Sequence, residues 1–175
     1  MRYLGLFLSL MFLFSGCGYR IFLSKEAKYR TIQIPPVKNA IEITSESQRD
    51  SRIKIYPKGL ENRLTQSLKE RFIWQQGLEV VNESADLTLE CKVVDFTKDV
   101  ISYTGEDDDE PLEYRLGCKV KVVLKDAKEG KVLLDKIVGE DDIFYAQNTT
   151  FQDALDSLSQ RVSQRILEEV VFRWP

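Results

Sequence analysis

The chain contains no histidine. That absence removes the commonest general base, most zinc sites and every Ser-His-Asp or Cys-His arrangement. Neither G-x-G-x-x-G nor G-x-x-x-x-G-K-[ST] occurs, so the usual phosphate-cradling loops are missing as well. Only carboxylate or lysine chemistry stays open to such a composition. The expectation is a protein that is not an enzyme and needs no metal or cofactor. A basic excess is also lacking: 25 Lys and Arg stand against 28 Asp and Glu, for a formal charge of −3. That balance argues against a nucleic-acid partner. No apolar run reaches the roughly 18 residues that a membrane-spanning helix requires.

What is present begins at the N-terminus. Arg2 precedes an apolar and small-residue run from Tyr3 to Phe14, followed by Ser15-Gly16-Cys17. This order is that of a secretory signal with a small-residue cleavage site. A cysteine directly after such a cut looks like a bacterial lipobox, with Phe14 where an aliphatic residue usually stands. The expectation is a signal peptide over 1–16 and acylation of Cys17. The alternative is an ordinary cleaved signal, or a short hydrophobic anchor, with Cys17 an incidental thiol. Two or three acyl chains would hold the protein permanently at a bilayer, since two lipid signals already suffice. Gly18, which is not acidic, fits outer-membrane sorting where Gram-negative rules apply. Residues 17–28 then form a leader whose Tyr19, Ile21, Phe22 and Leu23 are too apolar for a free tether. The remainder, 29–175, is one domain's worth of chain.

Within that domain, Tyr29–Ile34 alternates with period two and is stopped by Pro35-Pro36, predicting a strand. Ile41, Ile43, Ile53 and Ile55 flank a polar stretch, Thr44–Arg52, as a short ribbon or an extended excursion. Pro57 is placed to open a helix whose Leu60, Leu64, Leu68 and Phe72 make one stripe, with Gly77 as its C-cap. Ala85, Leu87, Leu89, Cys91 and Val93 then alternate with polar residues. So do Tyr114, Leu116, Cys118, Val120, Val122 and Leu124. A third strand, within 131–144, has no clear facing because Val132, Leu133 and Leu134 are consecutive. Asp126–Gly130 is a hairpin turn. A second helix carries Phe151, Ala154, Leu155, Leu158, Val162, Ile166 and Val170 on one side, started by a Thr150–Asp153 capping pair. The predicted fold is α+β: a two-layer sandwich with both helices on one face of a mostly antiparallel four-stranded sheet, in the order β-α-β-β-β-α.

Three features invite a functional reading. The acidic loop Gly105–Glu110 suggests calcium, but it lacks the spacing of an EF-hand and fits a solvated hairpin tip. Cys91 and Cys118 both point inward. With the intervening loop centred near residue 107 or 108 they are not cross-strand partners, which favours two buried free thiols, although a register shift would reverse this. The opposite sheet face carries Lys92, Lys119, Lys121 and Lys125 with Thr88 and Glu90, as a solvated face or an anion site.

The order of several short motifs resembles one known family. Cys17-Gly18-Tyr19 opens the mature chain, and Ile32-Gln33-Ile34-Pro35 is followed by Asn39. Tyr56-Pro57 leads into Leu60-Glu61 and then Leu64, Thr65 and Leu68. Ala85-Asp86-Leu87 opens a strand, and a long helix ends near Trp174. Together these resemble the LptE family of lipopolysaccharide-assembly lipoproteins, over nearly the whole mature chain. The resemblance implies a lipid-anchored protein at the periplasmic face of the outer membrane. It would plug the β-barrel LptD and assist lipopolysaccharide passage to the outer leaflet. Lys92, Lys119 and Lys121 are the candidate lipopolysaccharide-binding residues, on face geometry alone. The alternative is a periplasmic envelope lipoprotein of the secretion-pore or cell-wall-synthase-activator type.

Overall fold

Two long strands form the backbone of the molecule because their sequences alternate for almost their whole length. In the computed structural model, which describes residues 28–41, 56–75, 78–104 and 110–172, we label the elements in chain order. They are β1 (Thr31–Gln33), β2 (Lys38–Asn39), α1 (Leu60–Trp74), β3 (Glu79–Val80), β4 (Leu87–Thr104), β5 (Glu110–Asp126), β6 (Val132–Tyr145) and α2 (Phe151–Phe172). The expectations for the signal, Cys17, most of the leader, Ile43, Ile53, Ile55, the 44–52 stretch, Gly77 and the 105–109 loop lie outside the described residues, as does that for Trp174.

Strands β4 and β5 pair antiparallel from Leu87 opposite Asp126 to Thr104 opposite Glu110, and β6 continues the meander. The predicted inward residues of both strands are buried, save Tyr114, which is half-buried against the core. Both helices lie on that face. Leu60, Leu64, Leu68 and Phe72 of α1 join Leu155, Leu158, Val162 and Ile166 of α2 in the core, all fully buried. Thr150 Oγ1 accepts the Asp153 amide, so the predicted cap forms.

The sheet itself differs from the expected one. Among the described residues it has six strands and is mixed, in the order β3-β1-β4-β5-β6, with β2 also against β4. Strand β1 pairs parallel to both β3 and β4, and β2 pairs parallel to β4. The cause is the connection: a helix-containing crossover returns the chain in its original direction, so β3 comes back parallel to β1. The start of α1 differs too. Gly59 takes the N-cap at φ 85, a left-handed conformation natural to glycine, and Pro57 sits in the preceding turn. At the other end Gln75, in extended conformation, is the C-cap.

Two carboxylates pin one end of this sheet. Asp86 accepts from the Arg30 and Thr31 amides and from the Lys128 ammonium at 2.7 Å. Asp126 accepts from the Tyr29 hydroxyl at 2.9 Å and from the Lys128 and Glu129 amides, closing the predicted turn.

Cys91 stands opposite Val122 and Cys118 opposite Phe96, so the register keeps the two thiols apart, and both are free. Burial pushes each up to about 12, with Asp95 adding to the effect at Cys118. Since the thiolate is the nucleophile, neither should react in the folded state. In a Cys17→Ser variant, a disulfide reagent at pH 8 is expected to modify these two thiols on the order of a thousandfold faster in urea than in buffer. Prompt modification of the folded protein would contradict the buried register.

Candidate functional site

The face of the sheet turned away from the helices gathers the predicted lysines. Lys92 of β4 lies directly opposite Lys121 of β5, and Lys119 is two residues along the same strand and on the same face. The parallel pairing of β2 adds a residue that periodicity alone had not pointed to: Lys38 is the partner of Lys92. Three ammonium-bearing positions are therefore registered across three adjacent strands. Only the β2–β4 pairing brings Lys38 there, and the parallel crossover that permits it is not visible in local alternation.

These lysines are not equivalent. Lys119 donates to Asp95 at 3.2 Å, Lys121 lies 3.4 Å from Asp135, and Lys125 donates to Glu90 at 2.8 Å. Lys38 and Lys92 are exposed and make no ion pair among the described residues. The field they create is felt nearby: the Glu90 carboxyl is held below its usual range by the hydrogen bond from Lys125, with Lys92 and Lys38 contributing. Like charges placed directly opposite on a sheet are destabilising, so an anion lying across Lys38, Lys92 and Lys121 would relieve a cost already present.

A β-bulge between Val93 and Asp95 helps to build this face. It shifts the phase of β4, turning Phe96 inward and setting Asp95 outward beside Lys119. Apolar groups border the lysines. Ile137, 58% exposed, is the partner of Lys121 on β6. Further along, Val100, Ile101 and Tyr103 of β4 and Ile143 and Tyr145 of β6 are all exposed. Exposed apolar groups gathered at one end of a sheet are candidates for contact with a partner. The Glu113 carboxylate, which stands opposite Tyr145, raises that phenol above its ordinary range.

This arrangement of strands and helices can be set against known proteins. The family model described as lipopolysaccharide-assembly, LptE, matches residues 29–173. The chain belongs to the LptE family. Membership places it among lipopolysaccharide-assembly proteins of the Gram-negative envelope. No curated protein matches its sequence significantly.

Solved structures share the LptE-family fold seen here. A hypothetical protein of Chlamydia trachomatis is similar at TM-score 0.55 and 10% identity, covering 81% of this chain and 95% of its own. A Xanthomonas campestris protein is similar at TM-score 0.54 and 12% identity, over 83% and 84%. The solution structure of an uncharacterized lipoprotein B from Nitrosomonas europaea reaches 0.50 at 14%, over 82% and 83%. At such identities the likeness speaks for the fold alone.

Elsewhere on this LptE-family domain, a polar groove between α1 and α2 is lined by Lys58, Asn62, Arg63, Glu70 and Asp156 among others. Its Asp156 is engaged by Arg63. Among the described residues no group of three or more Cys, Asp or Glu is placed to hold a metal ion, and no helix is long and apolar enough to cross a membrane.

Proposed function

We propose that this chain is an outer-membrane lipoprotein, anchored through Cys17, that binds an LptD-like β-barrel and assists the passage of lipopolysaccharide to the outer leaflet. It acts through contact surfaces and makes or breaks no bonds. Family membership supports the process. The registered row Lys38–Lys92–Lys121 is the observation that carries the ligand. Lipopolysaccharide is a phosphorylated glycolipid, and lysines on a rigid sheet meet its phosphates with charge-assisted hydrogen bonds. Lys119 lies beside the row and contributes less, because it donates a hydrogen bond to Asp95, whereas Lys121 keeps a looser 3.4 Å ion pair with Asp135. The exposed apolar residues at the far end of β4 and β6 supply a surface for the barrel.

Two measurements test this. Affinity capture of the acylated protein from detergent-solubilised outer membrane should bring down a large β-barrel. Recovery of a cell-wall synthase or a homo-oligomeric ring instead would favour the rival class of envelope lipoprotein. Replacing Lys38, Lys92 and Lys121 together by glutamine should weaken lipopolysaccharide binding at least tenfold, about 1.4 kcal/mol. The wild-type affinity should itself fall as salt is raised. Lys58→Gln, in the turn before α1, is the control and should bind normally. Equal affinity in the triple variant would remove the lysine row from the site.

A further inference from the structure

One end of the domain collects the first described residues and the last turn of each helix. The Glu79 amide donates to the Arg30 carbonyl at 2.9 Å, so the segment leaving α1 arrives beside the start of β1. Lys28 lies 3.5 Å from Asp126 and 3.4 Å from Glu129, which puts it on the β5–β6 turn. Arg63 engages Asp156 and, two turns on, Arg71 shares a groove with Gln164, Arg165 and Glu168, so the helices run in the same direction towards this end. At this end Trp74 is 85% exposed and Ile73 is 65% exposed. Tryptophan is normally among the well-buried side chains, and both residues sit on a turn whose neighbour Phe72 is completely covered. Val132 and Val171, also exposed, belong to the same end.

We propose that this end lies on the bilayer, with Trp74 and Ile73 inserted at the membrane–water interface beside the anchor. The inference rests on the reading that Cys17 is acylated. Its geometry comes from chain length: Lys28 is eleven residues from Cys17, so the tether spans at most about 40 Å. The chain from the anchor therefore enters the domain at the end that carries the exposed indole. An indole pairs an apolar body with one N–H donor, which suits the headgroup level, where tryptophan is enriched. Lys28 is already paired with Asp126 and Glu129, and Lys128 with Asp86, while Arg30 and Lys131 stand exposed at the same end. Insertion of the apolar indole does not depend on those two charges and should occur on neutral lipid and withstand salt.

The test uses the acylated full-length mature protein on phosphatidylcholine vesicles, with and without lipids brominated near the headgroup. The chain has two tryptophans, Trp74 and Trp174, so a Trp174→Phe variant reports on Trp74 alone. Its emission should shift to the blue on vesicles and be quenched at least twofold by the brominated lipid, equally at low and high salt. The complementary Trp74→Phe variant, altered at an exposed position, should lose most of the quenching shown by the parent. Unquenched Trp74 on a protein whose acyl mass at Cys17 is confirmed would overturn the insertion and leave the anchor standing. A blue-shifted but unquenched Trp74 would mean that the chain's own leader covers it, and would overturn the insertion equally. A mature chain with no acyl mass on Cys17 would overturn both.

Discussion

Replacing Phe72 by alanine is expected to lower the free energy of unfolding by about 3–5 kcal/mol, against a total of roughly 5–15 kcal/mol for a domain of this kind. Phe72 is fully buried in the last turn of α1, the fourth member of the stripe formed with Leu60, Leu64 and Leu68. That stripe fastens the crossover helix to the sheet. Losing the ring removes its transfer energy and leaves a cavity that a close-packed core closes only in part. The neighbouring Ile73 provides the contrast. It is apolar and on the same helix, yet mostly exposed, so Ile73→Ala should stay within about 0.5 kcal/mol of the parent. Urea unfolding of the three proteins, extrapolated linearly to water, measures both values. If Phe72→Ala and Ile73→Ala cost the same, α1 is not seated as described.

The same contrast explains how much was legible beforehand. Where one face of an element is dry and the other wet, sequence records it: the stripes of α1 and α2 and the alternation of β4 and β5 are buried as read, Tyr114 and Phe151 in part. The family was legible too, from the order of short motifs. Strands β2 and β3 were not, because each is only two residues long and exists through parallel partners supplied by a distant crossover. Without them the sheet looks four-stranded and antiparallel, and Lys38 looks like loop.

Strand β6 resisted for another reason. Its helix-facing positions include Lys136, Glu140 and Asp142, which meet Glu169, Arg165 and Arg161 of α2. Its outward positions include Ile137 and Ile143, both exposed. Inward-pointing charge on an edge strand discourages edge-to-edge association, and it inverts the polarity pattern on which periodicity depends. A register shift between Leu124 and Lys125, with Leu134 the inward member of the Val132–Leu134 run, completes the ambiguity. The lysine face was legible as a face but not as a row, because only strand register shows that Lys38, Lys92 and Lys121 adjoin.

Acid should loosen the end of the sheet held by Asp86 and Asp126. The Asp126 carboxyl is brought from its ordinary 3.8 down to about 2, first by the Glu129 amide, then by the Tyr29 hydroxyl, the Lys128 amide and the charge of Lys28. Asp86 is lowered further, chiefly by Lys128 and the Arg30 amide. A carboxyl with a depressed folded value binds protons more readily in the unfolded chain. Its stabilisation is therefore complete above about pH 4 and is lost as pH falls towards 2. In Asp126→Asn the side-chain oxygen can still accept the turn amides, but the second acceptor facing Tyr29 and the charge facing Lys28 are gone. The variant should melt a few degrees below the parent at pH 7. Its own melting temperature should fall less steeply between pH 4 and 2, so that the two curves converge near pH 2. Parallel curves would mean that Asp126 bears none of the acid sensitivity.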